Sequence, residues 1–280
     1  MRADMHVHSV YSDGALTPEA LARTAKANGA ELVSLTDHDN LAGDKEKRAA
    51  FEKEGVRYLT GVEMSAYEGK VKVHMTGYAY DAFSPLCAKY QQDLLNRSEK
   101  RLADVLFRLK KYKNITLSAA AVRAELQVPA IPVHTMHIAR ALVKAGFFPD
   151  VKQTFRACFT PELPTYSFVG RPTPDEAIEM IHALGGFVCV AHPGRIALPF
   201  DERERLIRNL FRRGADGIEC FYPAHTEEET VYFKNLADES NLLKTGGSDF
   251  HFADGKRTIG LPVFFPDEDL LSAIHAREKR

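Results

Sequence analysis

Residues 4–18 read DMHVHSVYSDGALTP, and this stretch combines a short strand, a polar loop and the start of a helix. Asp4–His8 alternates in the manner of a half-buried strand. Thr17-Pro18 supplies a capping residue and a first-turn proline, and Gly29 ends the helix that follows. A second strand is predicted over Glu31–Thr36. The N-terminal part therefore has the strand–helix–strand order of an α/β fold with parallel strands.

The same alternation continues on both sides of a long helical stretch. Before that stretch we expect a helix over residues 43–54 and strands over Val56–Glu63 and Lys70–Tyr80. After it, the pattern predicts helices over Thr173–Gly185, Asp201–Gly214 and Glu227–Ser240, strands over Phe187–Ala191, Gly217–Tyr222 and Leu242–Gly246, and a final helix from Asp267. Repeated βα units imply a parallel sheet, either open or closed into a barrel.

The intervening stretch is predicted to be an inserted helical subdomain. Ser84-Pro85 begins a long helix whose apolar residues recur at helical spacing, and few β-rich runs follow. The predicted organisation is therefore a first barrel segment over residues 1–82, a helical cap over 83–165 and a second barrel segment over 166–280.

Composition excludes several classes of protein. The chain has 280 residues, a formal net charge of −1, 45% hydrophobic and 27% charged residues, which is typical of globular proteins. No basic excess favours a long nucleic acid, and no apolar run approaches the roughly 18 residues that a membrane span requires. Because Cys87, Cys158, Cys189 and Cys220 are widely spaced and no signal peptide is recognisable, we expect reduced thiols in a cytoplasmic protein.

Histidines and carboxylates recur at the ends of the predicted strands. His6 and His8 lie two residues apart on one strand, so both side chains point to the same face. The complete set comprises six imidazoles (His6, His8, His38, His74, His192, His251) and three carboxylates (Asp13, Glu63, Asp249). In a β/α barrel these strand ends meet at one rim. Imidazole and carboxylate ligands suit Zn²⁺, Mn²⁺ or Fe²⁺, and nine of them suit two or three ions.

Each of these signals is weak when taken alone. A single histidine is more often a core or surface residue than a metal ligand, and a lone His-x-His is not specific. The interpretation as a metal centre depends on the shared position of the residues, at the ends of predicted strands throughout the chain.

Eight short motifs together resemble the PHP (polymerase and histidinol phosphatase) family of metal-dependent phosphoesterases. They are HVHS (6–9), SDG (12–14), LTP (16–18), TDHD (36–39), GVE (61–63), VH (73–74), AHPGR (191–195) and GSDFH (247–251). The resemblance is greatest to the branch with a helical insertion, which includes nucleotide 3',5'-bisphosphate phosphatases and a 5'-to-3' exoribonuclease of short RNA. It implies a distorted seven-stranded, TIM-like (β/α)7 barrel with a trinuclear metal centre.

The resemblance also implies how the ligands are shared. A first ion would take His6, His8, Glu63 and Asp249, and a second would take Glu63 as a bridge together with His74 and His192. The third ion would take Asp13, His38 and His251.

Four further residues are predicted to contact the substrate. Relatives carry Arg-Pro-His before a helix of the insertion; His137 matches the histidine, whereas Thr135 stands where the arginine would be. His137 is the candidate for substrate contact or leaving-group protonation, and His134 is a possible compensating contact, with a solvent-exposed loop histidine as the alternative. Arg195 is expected to bind phosphate oxygens, and Arg101 to offer a second phosphate contact.

The sequence thus predicts a phosphoesterase that acts on a small nucleotide, resembling a 3',5'-bisphosphonucleotide, or on a short oligonucleotide. Attack by a metal-activated hydroxide is expected, with Arg195 stabilising the charge on phosphorus oxygens. The insertion is expected to start and end near the metal rim and to cover it. Two alternatives stay open: a histidinol-phosphate phosphatase, and a metal-holding regulatory module without turnover.

Overall fold

The computed structural model of the protein describes residues 1–252 and 257–278. Seven strands form within these ranges: β1 Ala3–Val7, β2 Leu32–Leu35, β3 Arg57–Glu68, β4 Val71–Tyr78, β5 Phe187–Val190, β6 Gly217–Phe221 and β7 Leu243–Gly246. The α-helices are α1 Pro18–Ala27, α2 Asp44–Glu54, α3 Pro85–Lys113, α4 Ala119–Arg123, α5 Thr135–Lys144, α6 Val151–Cys158, α7 Pro174–Ala183, α8 Phe200–Arg212, α9 Glu227–Glu239 and α10 Glu268–Glu278.

The seven strands form a single sheet in chain order, from β1 to β7. The segment after β7 returns to β1, where Asp249 N donates to His6 O at 2.7 Å and His8 N donates to Phe250 O at 2.9 Å. These bonds nearly close the sheet into a barrel, which confirms the predicted distorted (β/α)7 architecture.

One strand runs against the direction of the others. β4 pairs antiparallel with both β3 and β5, whereas the remaining neighbours are parallel. β3 continues to Glu68, five residues beyond the predicted end at Glu63, and Gly69 with Lys70 turns the chain directly into β4. Gly69 has a φ of 59°, a conformation that glycine adopts without steric cost.

The reversed strand changes where the helical insertion (residues 83–165) begins. Tyr78, the last residue of β4, pairs with Phe187, the first residue of β5. β4 therefore ends at the amino-terminal end of the barrel, and the expectation that both ends of the insertion lie near the metal rim is wrong. The 29-residue α3 returns the chain toward that rim, since a helix of this length spans about 44 Å.

The two halves of α3 pack in different hydrophobic clusters, one in the barrel and one in the insertion. Leu94 packs in the cluster formed by β3, β4, β5 and α7. Leu102 and Leu109 pack instead with Val122 of α4 and Ile138 of α5. The insertion thus has a small core of its own, and α3 connects that core to the barrel.

Two further expectations concern the cysteines and membrane-spanning segments. The four cysteines are buried and free, as their spacing predicts. Among the described helices, none combines the length and hydropathy needed to cross a lipid bilayer.

Candidate metal centre

All nine strand-end side chains come together at one end of the barrel. Eight of them form three overlapping groups within which every ligand atom lies within 4.8 Å of the others, and the ninth, His192, contacts Glu63 Oε1 through Nε2 at 2.8 Å. The groups are His6, His8, Glu63 and Asp249; His8, Asp13, His38 and His251; and His38, Glu63 and His74. Separate strands and loops thus deliver one compact cluster of donors.

The first group is formed by β1 and the loop after β7. His6 lies on β1 and His8 directly follows this strand, and both are fully buried. His8 Nε2 lies 3.2 Å from Glu63 Oε2 and 3.3 Å from Asp249 Oδ1. A Cβ at Gly247 would lie only 2.4 Å from the backbone nitrogen of His6. The close approach of this loop to β1 therefore requires glycine at position 247.

Glu63 lies at the centre of the cluster, near the middle of β3. Its Oε1 contacts His74 Nδ1 at 2.5 Å and His192 Nε2 at 2.8 Å. Its Oε2 lies 3.1 Å from His38 Nδ1 and 3.2 Å from His6 Nε2. Because the two oxygens face different imidazoles, this carboxylate has the placement of a bridge between two ions.

The group of His8, Asp13, His38 and His251 lies nearest the helical insertion. Asp13 Oδ1 is 3.4 Å from His251 Nε2. The ring of His251 stacks on that of His8, with centroids 4.0 Å apart, and the His8 ring lies 4.5 Å from that of His38. Asp13 comes from the loop after β1, and its backbone oxygen accepts a bond from Arg140 Nη2 of α5 at 3.1 Å.

Six of the donor atoms fit a metal because no hydrogen bond satisfies them. His6 Nε2, His8 Nε2, His38 Nδ1, His74 Nε2, Asp13 Oδ1 and Glu63 Oε2 are all buried without a hydrogen bond. Buried polar atoms are normally satisfied, and a cluster of unpaired donors of this kind is typical of an ion site. Imidazole and carboxylate without thiolate match Zn²⁺, Mn²⁺ or Fe²⁺.

The pKa values of the clustered side chains also favour a metal site. Burial alone would raise the pKa of Glu63, Asp13 and Asp249, yet the surrounding imidazoles hold all three well below their usual range. Burial likewise opposes a charged His8, but Asp249 and Glu63 raise its pKa to about 9. The three buried carboxylates are therefore ionised and attract positive charge, which divalent ions supply.

A further carboxylate, that of Glu219, orients His6 without belonging to the cluster. Glu219 of β6 accepts from His6 Nδ1 at 3.0 Å and from the backbone N–H of His192 at 2.6 Å. The first bond fixes the ring so that His6 Nε2 faces the site. The backbone also takes rare left-handed conformations here, with φ of 27° at His192 and 50° at Asp249. Non-glycine residues in such conformations cluster at functional sites.

A cavity of about 440 Å³ opens onto the cluster, and cationic side chains lie around it. Lys72, Arg195 and Arg257 line this cavity. Arg195 Nη1 and Arg257 Nη2 each donate to the Tyr222 hydroxyl at 2.9 Å, and that hydroxyl donates to Asp249 Oδ2 at 3.0 Å. Arg195 is thus held beside the site, where sequence reasoning expected it, and its side chain is 54% exposed.

The two histidines of the insertion differ from expectation. His137 does not face the cluster, because its Nε2 contacts Ser12 O at 2.9 Å and its Nδ1 accepts from His134 N at 3.0 Å. With both nitrogens engaged, it has no free group for leaving-group protonation. His134 is buried rather than in solvent, its Nε2 has no hydrogen bond, and its ring lies 5.9 Å from that of His38.

Arg101 also lies outside the main cavity. Its side chain is buried and donates to Gly170 O at 3.4 Å, and it lines a small neighbouring cavity with Arg171 and Thr135. Arg101, which was expected on the metal rim, therefore lies beside the main cavity and does not line it.

Sequence reasoning missed several residues of the site. Glu219, Tyr222 and Lys72 lie on or directly after predicted strands, so strand-end position was an available signal. Arg257 and Arg171 lie in loops without a motif, and only the folded chain brings them to the site.

Known proteins resemble this chain over nearly its whole length. The PHP domain model matches residues 4–156. A 3',5'-nucleoside bisphosphate phosphatase from Chromobacterium violaceum is 33% identical over 265 residues, covering 92% of this chain and 90% of the relative. A 5'-3' exoribonuclease from Haemophilus influenzae is 32% identical over 260 residues, covering 92% of each chain.

A solved structure agrees with the barrel and its insertion together. It is described as an amidohydrolase from Chromobacterium violaceum with bound sulfate and no metal. It superimposes with a TM-score of 0.82 at 31% identity, covering 99% of this chain and 97% of that one.

Proposed function

The chain belongs to the PHP domain family, and we propose that it is a metal-dependent hydrolase that removes phosphate from a small nucleotide or cleaves a short oligonucleotide. The observation that carries this proposal is the convergence of nine imidazole and carboxylate side chains, six of them with buried atoms that have no hydrogen bond, beside a cavity that arginine and lysine also line. Such a site can bind both cations and the phosphate oxygens that those cations attract.

We propose nine metal ligands, distributed as the resemblance to the family implies. His6, His8, Glu63 and Asp249 would hold one ion; Glu63, His74 and His192 a second; and Asp13, His38 and His251 a third. When bound, two or three Mn²⁺, Zn²⁺ or Fe²⁺ ions would neutralise phosphate charge and make water a stronger nucleophile near neutral pH.

The chain's own residues supply orientation and charge. Arg195, fixed by Tyr222, is placed to bind two phosphate oxygens and to stabilise negative charge as it grows on them. Lys72 and Arg257 add positive charge to the cavity wall. The unpaired His134 Nε2 replaces His137 as the imidazole of the insertion available to the substrate.

Water is proposed to attack phosphorus directly. None of the described residues that line the cavity is a serine, threonine or cysteine, so the wall offers no hydroxyl or thiol nucleophile. Direct attack inverts the configuration at phosphorus and leaves no covalent intermediate. A labelled phosphoenzyme trapped during turnover would contradict this proposal.

The test of function is a substrate panel with metal analysis. The metal-loaded protein would be assayed on adenosine 3',5'-bisphosphate, a 5'-phosphorylated RNA pentamer and histidinol phosphate, with ion content measured on the same preparation. We expect hydrolysis of the first two and little of the third. Preferred hydrolysis of histidinol phosphate would favour that alternative, and a metal-loaded protein inert on all three would favour a non-catalytic module. A cytoplasmic location stays a prediction.

A further inference from the structure

Lys47 of α2 is a fully buried cation that takes no part in the proposed reaction. Its side chain is 2% exposed, and its Nζ lies 2.6 Å from Oδ2 of Asp37, a completely buried carboxylate just after β2. Lysine is rarely buried to this extent unless it is paired. Because desolvation offsets most of the attraction in a buried ion pair, apolar residues of the same size often stabilise a fold equally well. Stability alone therefore does not account for this pair.

Asp37 holds the loop between β1 and α1. Its carboxylate accepts hydrogen bonds from Ser9 N at 2.8 Å, from Ser9 Oγ at 2.8 Å and from Ser12 Oγ at 2.8 Å. The two serines lie between His8 and Asp13, so a single carboxylate fixes the chain between two of the proposed ligands. Hydrogen bonds to an ionised acceptor are stronger than those between neutral groups, and the buried ammonium compensates the charge that makes them strong.

The start of α2 packs directly on the same loop. The Lys47 ammonium lies 5.0 Å from the centre of the Tyr11 ring, which is within cation–π distance. A Cβ at Gly43 would lie only 2.2 Å from Tyr11 Cε1, so this close packing requires glycine where the helix begins. Asn40 Nδ2 donates to Tyr11 O at 2.7 Å. The segment from Asp37 to Lys47 thus holds the loop through both backbone and side-chain contacts.

Asp13, at the end of this loop, depends on the loop for its position. Its Oδ1 is buried without a hydrogen bond and lies 3.4 Å from His251 Nε2. Helix α5 also contacts this end of the loop, through two backbone oxygens. The ligands proposed for the first ion have other supports: His6 belongs to β1 and is oriented by Glu219, and Asp249 accepts from a tyrosine hydroxyl. A disturbed loop should therefore displace Asp13 and spare the first ion.

We infer that Lys47 is a positioning residue, which through Asp37 holds the loop that carries Asp13 and thereby determines whether the centre keeps its third ion. The inference rests on the proposed function and deepens it, because the number of ions sets how much phosphate charge the site neutralises. The ammonium acts through a carboxylate and a loop, and not on the ions themselves.

The test measures ion content and ion affinity in Lys47→Met, which removes the charge and keeps a side chain of similar length. The protein would be saturated with Mn²⁺, freed of unbound metal and examined by plasma emission analysis, with affinities from competition with a fluorescent chelator. We expect one ion per chain fewer than in the wild type and an affinity for that ion lower by about 10- to 100-fold, with the other affinities unchanged. Lys45→Met, which removes an exposed lysine of the same helix, is the matched control and should behave like the wild type.

A second variant keeps the inference testable if the loss of Lys47 prevents folding. Ser12→Ala removes one hydrogen bond to Asp37 and leaves the ion pair intact, and the affinity for the same ion should fall about tenfold. Ser98→Ala is its control, because Ser98 is equally buried and donates to a backbone oxygen of its own helix. In chelator-treated protein, amide hydrogen exchange of residues 9–14 should be faster in both loop variants, which reports on the loop without metal or turnover.

An unchanged ion count or an unchanged loop exchange in Lys47→Met would overturn the inference. An equal loss of affinity for every ion would also overturn it, since that result is expected of a residue that supports only the fold. A wild type that binds no ion would contradict the inference and the proposed function together. If Lys47→Met loses one ion but the wild type hydrolyses no substrate of the panel, the proposed function alone is contradicted.

Discussion

Glu63 is the residue on which the metal centre depends most, because its two oxygens face imidazoles from four other segments. Glu63→Gln removes the negative charge between the proposed ions while keeping the size of the side chain. We expect activity to fall by about 100-fold or more, beyond the loss usual for residues that only orient ligands, and metal content to fall by at least one ion. Turnover and plasma emission analysis measure both. Glu68→Gln, near the outer end of the same strand, is the control, and full activity in Glu63→Gln would contradict the multinuclear site.

Glu219 tests the orientation of His6 without removing a proposed ligand. Glu219→Gln keeps one acceptor but loses the second, so either His6 Nδ1 or His192 N loses its partner. Metal affinity should fall about 10- to 100-fold, which competition with a fluorescent chelator would measure. The exposed Glu228→Gln is the control. Equal affinities for the two variants would mean that Glu219 does not hold His6 in place.

His134 gives the folded protein a pH dependence of known sign. Burial, with a smaller contribution from His137, lowers the pKa of His134 to about 3, whereas the pKa of an unfolded-chain histidine is about 6.5. As the pH falls below about 6.5, the unfolded chain gains a proton that the folded protein does not, so stability decreases. When the pH is lowered from 7 to 5, the free energy of unfolding of the metal-free protein should decrease. In urea unfolding, that decrease should be about 2 kcal/mol smaller for His134→Leu than for the wild type. The exposed His275→Leu should behave like the wild type.

The sequence predicted the cluster of imidazoles and carboxylates better than it predicted the residues that contact the substrate. Strand-end histidines are recognisable because β/α topology brings strand ends together, whatever the details of the loops. The roles of His134 and His137 could not be separated in this way, since both lie within one helical turn. Which imidazole is free depends on Ser12 O, a backbone atom from a distant loop.

At the scale of elements, β4 shows that the periodicity of the sequence locates a strand but does not determine its direction in the sheet. Alternation located both β3 and β4, but the prediction ended β3 at Glu63 and treated the whole sheet as parallel. The short Gly69-Lys70 turn instead forces an antiparallel pair. Reversal places His74, in the first half of β4, at the metal rim, so the site keeps the residue although the strand direction was not predicted.

Helix α5 is tied by His137 to the loop that carries the proposed ligand Asp13. His137→Ala would leave the buried Ser12 carbonyl and the His134 N–H without their partners. We expect a loss of about 1–3 kcal/mol in the free energy of unfolding, measured by urea denaturation. Lys144→Ala, on the exposed side of the same helix, should change stability much less. A neutral effect of His137→Ala would mean that the helix is held by its apolar contacts alone.

At the scale of the whole molecule, the proposed ligands join segments that are far apart in sequence, so metal binding should stabilise the entire fold. One ion at 100 times its dissociation constant adds about 2.7 kcal/mol, which corresponds to roughly 5 °C in Tm for a chain of this size. Removal of metal by a chelator should therefore lower Tm by at least about 5 °C in scanning calorimetry, and zinc or manganese should restore it. The shift should be smaller in Glu63→Gln, and a Tm indifferent to chelator would contradict a metal centre formed by the native fold.

The return of the segment after β7 to β1 also bears on biosynthesis. His6 and His8 leave the ribosome more than 200 residues before Asp249 and His251, because synthesis proceeds from the amino terminus. A nascent chain therefore exposes imidazoles that can bind metal ions long before Asp249 has been synthesised. The full set of proposed ligands exists only after synthesis has passed His251, so selection of a metal by all nine residues follows the synthesis of that segment.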